Sequence, residues 1–99
     1  MANDARRVGS EFETQTLEYV RSRGVLGERL ARAGVNDEGD LVIDSGRFIC
    51  ELKARRDRNS SLNLGAWLEE ARTERDNYVR ARGLGGSQQP TPLVVVKNP

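Results

Sequence analysis

The chain has 99 residues, enough for one domain around a small core and too few for a second. Sixteen basic residues against 15 acidic ones leave a net charge of +1, so no strongly basic or acidic tail dominates. A single cysteine and no histidine exclude an intramolecular disulfide and argue against a zinc site, and no apolar run reaches signal-peptide or membrane-span length, so a cytosolic protein with no membrane contact is expected.

Asp4 to Arg23 reads as a first helix, with Val8, Phe12, Thr16, Tyr19 and Val20 at helical spacing, Asn3 as its cap and Gly24 as its end. Val25 to Ala33 admits two readings, a short helix through Glu28-Arg29-Leu30-Ala31-Arg32 or an extended strand. Gly34 to Gly39, with Asn36, Asp37 and Glu38, has turn composition. Leu41 to Ile43 and Phe48 to Lys53 are apolar strands, and the short Asp44-Ser45-Gly46-Arg47 connection predicts an antiparallel hairpin. Cys50 falls inside the second of these strands, a buried and reduced position.

Arg55 to Ser61 is a polar loop expected to move before a substrate arrives. A second helix is predicted from about Asn63 to Arg82, with Leu64, Trp67, Leu68, Ala71, Tyr78 and Val79 as its stripe and Gly83 as its stop. Gly85 to Pro90 reads as a flexible connector. Leu93 to Val96 is a short β-branched strand, and a strand, helix, strand succession lets it lie parallel within the sheet.

Chemistry concentrates between Gly39 and Lys53. Asp40 opens one strand and Glu51 and Lys53 lie two apart on the next, so period-two geometry projects the latter pair from one face. Two carboxylates there suit a hard divalent cation, and an ammonium beside them can orient a water. An arbitrary Glu-X-Lys is usually a solvated strand face. Here the strand is otherwise apolar and a Gly-Asp precedes its partner, which favours the catalytic reading. Asp37, Glu38 and Asp44 are assigned to turns.

Fourteen of the 16 basic residues are arginine, whose planar fork matches phosphate oxygens, although a GC-rich genome produces the same bias. Arg55, Arg56 and Arg58 leave the active strand and are the strongest expected phosphate contacts, with Arg6, Arg7, Arg29 and Arg32 behind them. Trp67 stacks on a base or, more in keeping with its place in the stripe, packs in the core or a dimer contact. No base-reading motif is present, so recognition through phosphate geometry is expected.

Gly9-Ser10-Glu11-Phe12-Glu13, Leu17 to Gly24, Gly39 to Ile43, Glu51-Leu52-Lys53, Leu64 to Ala71 and Pro92 to Lys97 follow one another in an informative order. From about Arg6 to Lys97 the chain resembles the PD-(D/E)XK nuclease superfamily, and within it the Holliday-junction resolvases carried by actinobacterial phages. The resemblance implies an α/β single domain, a small mixed β-sheet flanked by helices with a restriction-endonuclease-like core, and an extended strand over Val25 to Ala33. It implies Glu13, Asp40, Glu51 and Lys53 as catalytic residues, with Glu11 as the alternative to Glu13. The implied metal ligands are Asp40, Glu51, the backbone carbonyl of Leu52 and Glu13, the last directly or through water.

The implied cofactor is Mg²⁺, for which Mn²⁺ substitutes, and the implied partner is branched DNA. Two symmetric cuts require two sites, which a C2 homodimer supplies. The alternatives are a nuclease of the same fold acting on flaps, ends or duplex, a non-catalytic DNA-binding module, and an assembly protein built on its helices.

Overall fold

The computed structural model describes residues 2–31, 36–55 and 62–97, with side chains from Val8 onward. The elements are α1 (Ala2–Ser22), β1 (Gly27–Arg29), β2 (Leu41–Ile43), β3 (Phe48–Ala54), α2 (Leu64–Arg82) and β4 (Thr91–Lys97). The four strands form one sheet in the order β1-β2-β3-β4, antiparallel from β1 to β3 and parallel between β3 and β4. This is a small α/β domain whose mixed sheet carries one helix on each face.

Alternation along β3 decides which helix each side chain meets. Phe48, Cys50 and Leu52 turn towards α1, where Leu17, Leu41 and Cys50 form the buried centre and Ile43, Leu93 and Val95 pack around it. Ile49, Glu51 and Lys53 turn towards α2, whose inward residues are Ala71, Glu74 and Tyr78. Cys50 is a free, buried thiol whose pKa burial raises to about 11, with the Asp40 charge adding to the rise. It is a packing residue, as its apolar strand predicted.

The β2–β3 hairpin turns through Asp44 and Ser45 at φ of 56° and 57°, the paired positive values of a turn matching strand twist. Only residues with short polar side chains, or glycine, enter this region cheaply, which explains the Asp-Ser-Gly composition. Gly83 ends α2 in the left-handed conformation at φ 63°, as its position predicted. The β4 strand lies parallel to β3, also as expected.

Several expectations need correction. The first helix starts at Ala2, so Asn3 lies within it and does not cap it. Its inward seam centres on Leu17, while Tyr19 is 61% exposed, because a step of two residues rotates the side chain well off the stripe. On α2, Leu64 and Leu68 are exposed and the inward seam is Ala71, Glu74 and Tyr78. The connector after α2 holds a 3-10 turn at Gly86–Gln88 and ends on fully buried Pro90. Of the Val25 to Ala33 segment, Gly27–Arg29 is extended. At Gly27 α1 packs closely on β1, since an added Cβ would stand 3.1 Å from Leu17 and 3.2 Å from Val20.

Candidate metal centre

The sheet face under α2 carries the polar chemistry. Glu51, only 8% exposed, and Lys53 project from this face of β3, and the Lys53 Nζ lies 3.4 Å from Glu51 Oε1. Above them α2 presents Glu70 and Glu74, one helical turn apart. Lys53 Nζ donates to Glu70 Oε2 at 2.9 Å and stands 5.9 Å from the centroid of the Trp67 ring. One carboxylate oxygen from each of Glu51, Glu70 and Glu74 lies within 4.8 Å of the other two, close enough for the three to hold a metal ion.

Glu74 is 5% exposed, and its Oε2 has no hydrogen-bond partner among the described residues. An unsatisfied buried carboxylate oxygen is costly, and a cation or a proton relieves it. Oxygen donors alone, without nitrogen or sulfur, suit a hard cation such as Mg²⁺, Mn²⁺ or Ca²⁺. The donor set therefore fits a divalent ion. Gly39 makes room for this packing: at φ 105° an added Cβ would meet Ile49 Cγ2 at 2.9 Å and Glu74 Oε2 at 3.2 Å.

Electrostatics point the same way. Burial raises the Glu51 pKa, and the charges of Asp40 and Glu70 add to the rise, against lowering contributions from the Glu74 hydrogen bond and Lys53. Glu74 is pushed up to about 10 by burial first, then by its hydrogen bond to Glu51 and the charges of Glu51, Asp37 and Glu70. Burial and like charge thus both disfavour two ionised carboxylates side by side, and a proton or a cation between them relieves the repulsion. Burial works against the Lys53 charge, but the Glu70 hydrogen bond and the charges of Glu51 and Glu70 outweigh it and raise its pKa. Lys53 is a firm ammonium here, suited to orienting a water and unsuited to taking its proton.

Asp40 stands at the start of β2, where its Oδ2 accepts the Leu52 N–H at 2.7 Å. It reaches Glu51 through its charge. Asp37 and Glu38 tie the preceding loop to α2. Asp37 Oδ1 accepts the Gly39 N–H at 3.2 Å, the Asp37 carbonyl accepts from Asn77 at 2.9 Å, and Glu38 pairs with Arg82 at 2.7 Å. Asp37 serves the turn, as expected, whereas Glu38 ties the loop to α2 through its ion pair.

Glu13 lies on the inward side of α1, with an ion pair to Arg29 of β1 at 3.8 Å, whereas Glu11 is exposed. Its helix packs on the face of β3 opposite the three glutamates. Arg29 also donates to the Ser10 carbonyl at 3.1 Å and to the Thr14 hydroxyl, so it is tied to α1. Arg55 is half-buried at the end of β3, with its N–H donated to the Lys97 carbonyl at 3.3 Å. Arg32, Arg56 and Arg58 lie outside the described residues, as do the side chains of Arg6 and Arg7.

The sequence alone does not single out Glu70 and Glu74, because helix glutamates read as solvated. A signal existed for Glu74: Trp67, Ala71, Glu74 and Tyr78 follow one another at four, three and four residues, so Glu74 occupies an inward position of the stripe. Compared with protein-family models, curated proteins and solved structures, the chain matches none. Among the described residues no helix is long and apolar enough to cross a membrane.

Proposed function

We propose that the protein is a Mg²⁺-dependent endodeoxyribonuclease with a PD-(D/E)XK core that nicks four-way DNA junctions as a C2 homodimer. The observation that carries the reading is the projection of Glu51 and Lys53 from one face of β3, 3.4 Å apart, beneath a helix bearing two further carboxylates. The succession of one helix, three antiparallel strands, a helix and a parallel fourth strand also supports it.

Asp40 and Glu51 would hold the ion at the mouth of the β2–β3 pair. A bound Mg²⁺ supplies charge neutralisation at the phosphoryl oxygens and lowers the pKa of a water. Lys53 donates a hydrogen bond that orients the attacking water or a phosphate oxygen, and its retained proton adds positive charge where the transition state gathers negative charge. Glu70 and the Trp67 face hold the ammonium beside Glu51 in the metal-free protein. Arg55, Arg56 and Arg58, which follow Lys53 in the sequence, would supply phosphate contacts that read backbone shape and not base sequence.

The test is parallel cleavage of an immobile four-way junction and a matched linear duplex, with Mg²⁺ and with a chelator. Paired nicks in opposing junction strands, dependent on Mg²⁺ and lost in Asp40→Asn, are expected. Equal rates on both substrates would reject junction selectivity and favour a nuclease of ends or duplex. No cutting of either would reject the nuclease reading.

A further inference from the structure

We infer that α2 supplies Glu70 and Glu74, together with Glu51 of β3, as ligands of a divalent-cation position distinct from the one at Asp40. The ligand class is a bare hard dication, Mg²⁺ or Mn²⁺. Three observations carry it. The three carboxylates offer oxygens within 4.8 Å of one another from two separate elements. Glu74 is 5% exposed, and among the described residues its Oε2 has no hydrogen-bond partner, which is unusual for a buried carboxylate unless something else completes it. The place is already cation-seeking, because the Lys53 ammonium bridges Glu70 at 2.9 Å and Glu51 at 3.4 Å.

Asp40 does not belong to this set. The described carboxylates whose oxygens come within 4.8 Å of one another are Glu51, Glu70 and Glu74, while Asp40 turns its Oδ2 to the Leu52 N–H. Glu51 is the side chain common to both positions, so the arrangement is that of two cation seats sharing one carboxylate. A dication seated at the helix carboxylates takes over oxygens that Lys53 now bridges and frees the ammonium for the substrate. The inference rests on the nuclease reading for the use of the ion and not for its binding.

Trp67 is the sole tryptophan, and its ring lies 5.9 Å from the ammonium that Glu70 holds, so it serves as a built-in antenna. The experiment is titration of the metal-free protein with Tb³⁺, read as tryptophan-sensitised luminescence, and with Mn²⁺, read as loss of the free-ion electron paramagnetic resonance signal. Wild type and Asp40→Asn should both show sensitised emission. Glu74→Gln and Glu70→Gln should bind at least about tenfold more weakly, since loss of even an outer-shell partner has that effect on metal affinity.

Glu70 is solvent-exposed, so Glu70→Gln tests the position even where the buried substitution unfolds the chain, and melting curves verify the fold of each variant. Wild-type affinity in both α2 variants, or no sensitised emission from the wild type, would overturn the inference and leave the cluster as a proton-sharing acid pair. If binding is lost in Glu70→Gln while the wild type cuts no DNA, the cation position stands and the nuclease reading falls. If cutting needs Asp40 while both α2 variants bind as wild type, the reverse holds.

Discussion

The two faces of the sheet are built from the same strands yet do opposite things. Towards α1, Cys50 and Leu52 of β3 meet Leu17 and Leu41 in an apolar wall. Towards α2, the alternate residues Glu51 and Lys53 meet buried Glu74 and exposed Glu70, so a charged cluster runs from the interior to the surface. One face contributes stability through burial, and the other gives some of it up to keep carboxylates underground. A strand with period-two alternation allows this division, because neither set of side chains constrains the other.

Substitutions on the two faces should therefore separate function from stability. The largest effect is expected for Glu51→Gln, which should lower junction nicking by about a thousandfold or more, on the scale of losing a main electrostatic contribution. The same change should leave the melting temperature of the metal-free protein unchanged or higher, since a neutral amide avoids the burial cost that raises the Glu51 pKa. On the other face, Leu41→Ala, at a fully buried position, should cost about 3 kcal/mol in denaturant unfolding. Its cleavage rate per folded molecule should stay at the wild-type level.

At the seam between the faces, Gly39→Ala should cost about 2 kcal/mol, because it combines a left-handed φ of 105° with a Cβ contact of 2.9 Å to Ile49. The pH dependence of the metal-free protein gives a smaller effect per step. Glu74 binds its proton more tightly folded than unfolded, so between its ordinary value near 4.5 and about 10 the native state holds more protons. Stability must then fall as pH rises through that window, by up to about 1 kcal/mol per unit. Melting curves from pH 6 to 9 in chelator should show the decline, Glu74→Gln should flatten it, and Mn²⁺ should oppose it by displacing the proton. The smallest effect is expected on the outer surface of α2, where Arg72→Ala breaks an exposed pair with Glu69 at 2.8 Å and should change stability by less than about 0.5 kcal/mol.

Much of the scaffold was legible in the sequence. Leu41 to Ile43 and Phe48 onward announce themselves as short apolar runs around turn residues, and Gly83 marks the end of α2 because a left-handed residue suits glycine. The helix seams were harder. Tyr19 and Leu68 are large apolar residues that look inward by composition, yet both stand exposed, and the phase of each helix is set by what it packs on. For the centre, Glu51 and Lys53 were readable from their spacing and apolar surroundings. Glu70 and Glu74 were not, because a carboxylate on a helix gains its meaning only when a strand from elsewhere brings another carboxylate beneath it.

The most direct test of a cation-binding centre on the α2 face is a crystal grown or soaked with Mn²⁺ and measured for anomalous scattering. An anomalous peak within coordination distance of a Glu51 carboxylate oxygen, absent from Glu51→Gln crystals, is the predicted result. Full Mn²⁺ exposure with no peak at Glu51, and the Lys53 ammonium still bridging Glu51 and Glu70, would contradict the account.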